Sequence, residues 1–442
     1  MLSSKILLFT LIVWSCCVAG PVTMVYAQPS ANSLLREYVQ EAWRNHPDIQ
    51  NMREMVIAES SRTVMSRTWM NPEFRVGLMN APTDLNLTKD PMTMFQIGVM
   101  QEIPFPGKKG AASSASKART EAAQANVRAS EFDMADMVIM AYFDLAAAIA
   151  VREPLERGQD LAQQILQSAA AMGSSGLGSQ SDVLRARLET EQWNQRLVSN
   201  QSDIDRKHAT LAYAIGRSDA SVLSDPVLSD SLPALPDLTE ALNAEVLNGT
   251  PEVQSAMQQT RAANAEVHRA KLEYWPDFSL GLAYGIRQDL KTTGIDPHTG
   301  APAEEVMNQD NMVTVEVSVP LPLFYRGNQR ARVSETSAMQ RGAEDLTERA
   351  RLLKARELRD LHAIMQEKIE NYTIVSSRVL PQAEETWNVT MLDYRAAKLP
   401  FMSLSEARIN IVTAEIDAIM LRADAWAAYY RWQAALGQLI FE

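Results

Sequence analysis

The chain carries the same sparse set of marks twice, about two hundred residues apart. His46-Pro47 returns as Thr250-Pro251 and Asn71-Pro72 as Trp275-Pro276, each at a distance of 204 positions. Ile103-Pro104-Phe105-Pro106 returns as Val319-Pro320-Leu321-Pro322, now 216 positions on. Gly216, closing Leu211-Ala212-Tyr213-Ala214-Ile215, returns as Gly437 after Ala434-Ala435-Leu436, at 221. A repeat of this length is half a molecule, and its growing offset marks an insertion between the second and third signatures. The fold is therefore expected to be built from two similar halves, each an incomplete unit that packs on the other.

Within each half, two segments alternate with period 2. Phe74, Val76 and Leu78 oppose Arg75, Gly77 and Met79; Phe95, Ile97 and Val99 oppose Met94, Gln96 and Gly98. In the second half, Phe278, Leu280, Leu282 and Tyr284 oppose Ser279, Gly281, Ala283 and Gly285, and Val313, Val315, Val317 and Val319 oppose Thr314, Glu316 and Ser318. One face of each is apolar and the other small or polar, at roughly the ~10-residue length of a transmembrane strand. The strands are expected at about 73–80, 93–103, 277–286 and 312–320. The connection from Asn80 to Pro91 is rich in turn formers. The longer one from Arg287 to Asp310, with Gly294, Pro297, Gly300 and Pro302, reads as a loop and accounts for the jump in offset. Four strands cannot close a barrel. A shared barrel would take eight strands from two copies or twelve from three, while two half-buried hairpins in a soluble sheet is the plainer alternative.

Each strand pair precedes an unusually long helical stretch. From Lys108 to Met172 only Gly110, Pro154 and Gly158 interrupt the pattern, and from Asn328 to Ala397 only Gly342 and Pro381. About 65 helical residues span roughly 100 Å, beyond the needs of a globular core. Apolar residues recur at mixed three- and four-residue spacing, as in coiled-coil packing, and the two prolines are expected to kink the helices. The run Gly173-Ser174-Ser175-Gly176-Leu177-Gly178 stops the first helix. Ser179 or Ser181, with Asp182, is placed to cap the returning one. The second hairpin is expected to turn at Lys398-Leu399-Pro400. Residues 28–216 and 238–442 then form the two repeats, with the Pro- and Ser-rich stretch 217–237 as connector.

Residues 1–27 read as a secretory signal: Lys5, an apolar run from Ile6 to Val18, and Val25-Tyr26-Ala27 ahead of the cleavage point. The apolar run is shorter than the ~20 residues that span a bilayer. Both cysteines of the sequence, Cys16 and Cys17, lie inside this segment, so the mature chain would have no disulfide and no thiolate metal site. A lipoprotein signal, with Cys16 lipidated after Val13-Trp14-Ser15, is the rival reading. The net charge of −12 and the lack of a basic stripe argue against nucleic acid as a partner. No later segment has 18 consecutive apolar residues, so any membrane span would have to be made of strands.

The first turn, Gly176-Leu177-Gly178-Ser179-Gln180-Ser181-Asp182-Val183-Leu184-Arg185-Ala186, resembles the helical tip of TolC-type outer-membrane channels. Tyr394 to Arg408 resembles their second tip. The Asn71-Pro72-Glu73 start of the first strand and Gln101 to Lys108 (QEIPFPGK) extend the resemblance over nearly the whole mature chain. It implies a mainly α fold with a membrane β-barrel. Long helical hairpins form a periplasmic tunnel, and four strands per chain complete a twelve-stranded barrel in a homotrimer. It also implies an outer-membrane location reaching into the periplasm, contact with outer-membrane lipid, and two partners, a periplasmic adaptor (membrane fusion) protein and an inner-membrane efflux transporter. The channel would be a passive duct with no catalytic residues, no cofactor and no metal site.

The resemblance further implies that Tyr394 and Asp182 are the pair linking the two tips, and that Ser403 and Glu406 occupy two aperture positions that are usually acidic. The tips, Gly176, Leu177, Gly178 and Ser179 in one and Ala397, Lys398, Leu399 and Pro400 in the other, would dock the adaptor. Here the chain departs from the pattern. Ser403 removes one carboxylate, Ala397 and Pro400 replace the usual Gly and Ser, and Leu399 stands where a linking Arg can occur. Plainer roles exist for both acids, Asp182 as a helix cap and Glu406 as a solvated side chain.

Other features lead nowhere specific. The 22 methionines, among them Met52, Met55, Met65, Met70, Met79, Met92, Met94 and Met100, could supply thioethers to Cu(I), but they also suit irregular helix packing. The five histidines are scattered without ligand spacing, and no motif frames a nucleophile. QEIPFPGK and the second tip are most similar to the heavy-metal-cation branch of the family. Drug or protein export, or an exported coiled-coil scaffold without a channel, are the alternatives.

Overall fold

The computed structural model describes residues 31–439, except 84–86, 88–89, 177, 222, 299, 322–323 and 325–326. The expected signal segment with Cys16 and Cys17, and Leu177 of the first tip, lie outside the described residues.

The first half runs α1 (Ala31–Asn45), α2 (Pro47–Arg67), β1 (Glu73–Met79), β2 (Met94–Ile103), α3 (Lys108–Ala150), α4 (Arg152–Ser174) and α5 (Gln180–Ala214). After an extended connector come the short helices α6 (Leu238–Ala241) and α7 (Ala244–Gly249), then α8 (Pro251–Leu272) and β3 (Phe278–Arg287). The second half continues with β4 (Leu290–Ile295), β5 (Pro302–Met307), β6 (Met312–Ser318), α9 (Gln329–Ile374), α10 (Leu380–Arg395) and α11 (Phe401–Ala435).

The repeated marks have local causes. Pro47 and Pro251 open α2 and α8, where a missing N–H costs nothing. Gly216 and Gly437 end the returning helices with φ of +80° and +73°, a conformation that penalises a side chain. They also sit against the start of their own half. A Cβ on Gly216 would lie 3.0 Å from His46 Cα, and one on Gly437 2.8 Å from Pro251 Cδ. The outermost marks of each half therefore meet in space.

α3 and α4 form one rod broken at Val151, just ahead of Pro154, whose ring cannot continue the hydrogen-bond ladder. In the other rod a widened π-turn, Val375–Val379, precedes Pro381 and carries the helix past it. Lys108–Ser174 includes a stretch apolar and long enough to cross a membrane by composition. Its apolar residues, among them Val138, Ile139, Tyr142 and Leu145, instead form a buried core with α1, the end of α5 and the end of α11. α11 also enters the clusters lower down, with Leu404 and Ala407 against α4, α5 and α10, and with Ile411 and Val412 against Leu155, Ala162 and Trp193.

The strands form one antiparallel sheet in the order β1-β2-β3-β6, with β2 and β3 joining the two halves. The edges, β1 and β6, run in opposite directions and have no further partner strand among the described residues. One face is continuously apolar and open, with Phe74 and Val315 each 68% exposed. The other face carries Arg75, Gln96, Thr314 and Glu316 among small residues, lining a concavity of about 290 Å³.

One expectation is corrected. Arg287 to Asp310 is not simply a loop: β4 and β5 pair from Leu290↔Met307 to Ile295↔Pro302. Thr292, Thr293 and Val306 supply the β-branched residues. The turn is held by Asp296 Oδ1, which accepts from His298 N at 2.8 Å, and by Gly300 at φ +66°. Pro302 is tolerated because it begins an edge strand. Glycine and proline punctuation masks the strand propensity of this segment.

Candidate functional site: the two helical tips

The first tip is a glycine turn. Gly176 takes φ +74°, and Gly178 N–H donates back to Met172 O at 2.9 Å, satisfying a carbonyl at the end of α4. Ser179 caps α5, its Oγ accepting from Ser181 N–H at 3.1 Å, and Asp182 sits in the first turn, where the helix dipole favours a carboxylate.

The second tip makes the same turn with poorer residues. Ala397 is left-handed at φ +56°, where a Cβ is disfavoured, and Lys398 N–H donates to Asp393 O at 2.9 Å. Lys398 Nζ lies 3.6 Å from Asp393 Oδ1. Pro400 is the N-cap of α11 and offers no side-chain acceptor. Leu399 and Met402 are exposed beside it.

Of the four expected aperture residues, Tyr394 and Asp182 are brought near each other. The Tyr394 ring is buried edge-on to Phe401, with centroids 6.4 Å apart. Its hydroxyl pKa is raised, first by burial and then by the negative charge of Asp182. Among the described residues no hydrogen bond joins the two. Ser403 is half-buried, while Glu406 is exposed on the face of α11 that also bears Met402 and Asn410.

The hydrogen-bonded link between the hairpins lies deeper and was not anticipated. Glu189 on α5 accepts from Arg408 Nη2 and from Ser405 Oγ on α11, both at 2.6 Å. The Arg408 guanidinium is buried, 5.3 Å from the Trp193 ring, and Arg196 lies 4.5 Å from that ring. Burial lowers the Arg408 pKa against the opposing pull of Glu189. Trp193 in turn packs on Gly158 of α4, where a Cβ would come within 2.6 Å of the ring. One heptad above Arg408, Glu415 pairs with Arg157 of α4. The available sequence signal was weak: Ser405 and Arg408 are three residues apart and share a helix face, but nothing local points to Glu189 as their acceptor.

Among the described residues no group of three or more His, Cys, Asp or Glu is placed to hold a metal. The two helical hairpins are held together above their tips, by Glu189 with Ser405 and Arg408 and by Glu415 with Arg157.

The family model described as outer membrane efflux protein matches residues 38–217 and again 242–438. The cobalt-zinc-cadmium resistance protein CzcC of Cupriavidus metallidurans is 24% identical over 339 residues, covering 76% of this chain and 75% of its own. The nickel-cobalt-cadmium resistance protein NccC of Alcaligenes xylosoxydans xylosoxydans is 25% identical over 252 residues, 57% of this chain and 55% of its own. Among solved structures, the outer membrane protein VceC of Vibrio cholerae superposes with a TM-score of 0.74 at 16% identity, over 94% of this chain and 100% of that one. CusC, described as forming a transmembrane channel, superposes at 0.72 with 18% identity, over 92% of each chain. With the family pattern matched in both halves, over most of its length, the chain belongs to the outer membrane efflux protein family.

Proposed function

We propose that this chain is the outer-membrane exit duct of an efflux system for metal cations, working as a homotrimer with no catalytic role. The carrying observation is the sheet. Its apolar face is open, its other face is polar, and its unpaired edges β1 and β6 are antiparallel. An open edge of this kind needs another strand, and β6 of one copy can pair with β1 of the next. Three copies supply twelve strands, with the apolar face toward outer-membrane lipid and the polar face toward a lumen. The helical hairpins continue the duct into the periplasm. There, residues 176–179 and 397–400 would meet a periplasmic adaptor that delivers substrate from an inner-membrane transporter. The halves 28–216 and 238–442, joined by 217–237, each contribute one strand pair and one helical hairpin.

The metal assignment follows the names of CzcC and NccC. It is tested by deleting the gene and measuring growth on cobalt, zinc, cadmium and nickel salts. Loss of tolerance, restored by the gene, is expected; unchanged tolerance to all four would remove the assignment. Purified protein should form trimers that conduct in planar bilayers, and a monomer without conductance would refute the duct itself. Glu406, repeated three times round the aperture, would favour cations there. An unchanged ion selectivity in Glu406→Gln would dispose of that role.

A further inference from the structure

Arg408, Glu415 and Arg422 stand at successive seven-residue intervals on α11 and face the first half and the connector. Arg408 pairs with Glu189 of α5, Glu415 with Arg157 of α4, and Arg422 Nη1 with Asp230 of the connector at 3.2 Å. The column thus reads plus, minus, plus against minus, plus, minus. We infer that this alternating column fixes the axial register of α11 against the first half and the connector.

The alternative register open to a heptad-packed helix is a slip of one heptad, a shift of about 10 Å. A slip toward the tip sets Glu415 against Glu189 and Arg422 against Arg157. A slip the other way sets Arg408 against Arg157 and leaves Glu189 facing Phe401. Every displaced contact is then like-charged or unpaired; the penalty is strong at the partly buried Glu189 and Glu415 positions and small at the fully exposed Asp230. The neighbouring apolar residues discriminate less, because α11 offers Leu404, Ile411 and Ala418 at the same spacing.

The column adds little net stability relative to apolar packing, although breaking one of its buried pairs from one side is costly. Arg408 Nε and Nη1, Glu415 Oε2 and Arg422 Nε are buried without hydrogen-bond partners among the described residues. Buried pairs satisfied only in part add little net stability, and selecting a register is the best-attested use of such groups. This inference concerns packing within one chain and stands apart from the metal assignment.

The test keeps every pair but removes the alternation. Arg157→Glu with Glu415→Arg makes the α11 column uniformly positive against a uniformly negative partner, so the native and slipped registers are both paired. Spin labels on cysteines at Gln192 and Asn410 of the full chain, diluted with unlabelled chains, report the offset by electron–electron double resonance. Wild type should give one distance. The double variant should add a second population, above about one tenth of the molecules, at the distance of a one-heptad slip. Inverting all three pairs together restores alternation and should return a single distance. A double variant indistinguishable from wild type, or a slipped population in the full inversion, would overturn the inference.

Discussion

Arg408 and Glu189 meet at 2.6 Å across two helices whose tips belong to different halves of the chain. Glu189 lies nine residues and Arg408 seven residues beyond the first residue of its helix, and Ser405 takes the second carboxylate oxygen. The two hairpins are thus tied by a buried charge pair, which is costly to break from one side only.

Arg408→Met leaves Glu189 with Ser405 as its remaining hydrogen-bond partner from α11. Removing one member of a buried pair costs about 3–5 kcal/mol, whereas replacing both by apolar residues is often near neutral. Amides in the first three turns of α11 should exchange about 100-fold faster in Arg408→Met, each tenfold corresponding to about 1.4 kcal/mol. Glu189→Leu with Arg408→Met should recover most of that protection. Equal exchange in the single and double variants would show that the pair does not act as a unit.

Gly158→Ala opposes two effects. In an exposed helix the change would stabilise by about 1 kcal/mol. Here the new methyl meets the Trp193 ring, whose centroid also has Arg408 at 5.3 Å and Arg196 at 4.5 Å, so the ring has little room to yield. Overpacking of this kind costs about 1–3 kcal/mol, so the thermal midpoint should fall. A rise would mean that the ring moves freely.

The proposed duct turns the apolar face of the sheet to lipid and the polar face to a lumen, and adjacent residues test that assignment. Val315→Lys places a charge among exposed apolar residues near the centre of β6 and should cost about 2–4 kcal/mol if that face meets hydrocarbon. Thr314→Lys, one residue away on the polar face, should fold normally. The yield of heat-modifiable protein in outer-membrane fractions reads both.

Glu415 titrates above the ordinary carboxylate value of 4.5, chiefly because it is buried, with Arg157 pulling in the opposite direction. A group whose folded pKa is raised stabilises fully below its unfolded pKa and loses that contribution as pH climbs through the folded one. Stability should therefore decline from about pH 4.5 upward in wild type, and Glu415→Gln should flatten this part of the profile. The thermal midpoint against pH in both proteins checks it, and parallel profiles would refute it.

Much of the architecture was legible from local pattern. Strand alternation is a property of one segment, and so are the prolines that open α2 and α8 and the glycines that end each half. The tips could be located for the same reason, since Gly176 and Ser179 act on their own backbone. The β4–β5 hairpin was missed because its turn residues also suit an open loop. The interhairpin link was missed for a different reason: Glu189 and Arg408 are 219 residues apart, and a carboxylate on a long helix is solvated in most settings.

The sequence by itself determined the repeated halves, the amphipathic strands and the positions of both turns, because these follow from backbone preference and short-range periodicity. The tertiary structure alone decided that Gly216 and Gly437 close against the starts of their own halves. It also decided that Glu189 accepts hydrogen bonds from Ser405 and Arg408 of α11. Those outcomes depend on which side chains are desolvated together, and desolvation is set by packing between segments that no local pattern relates.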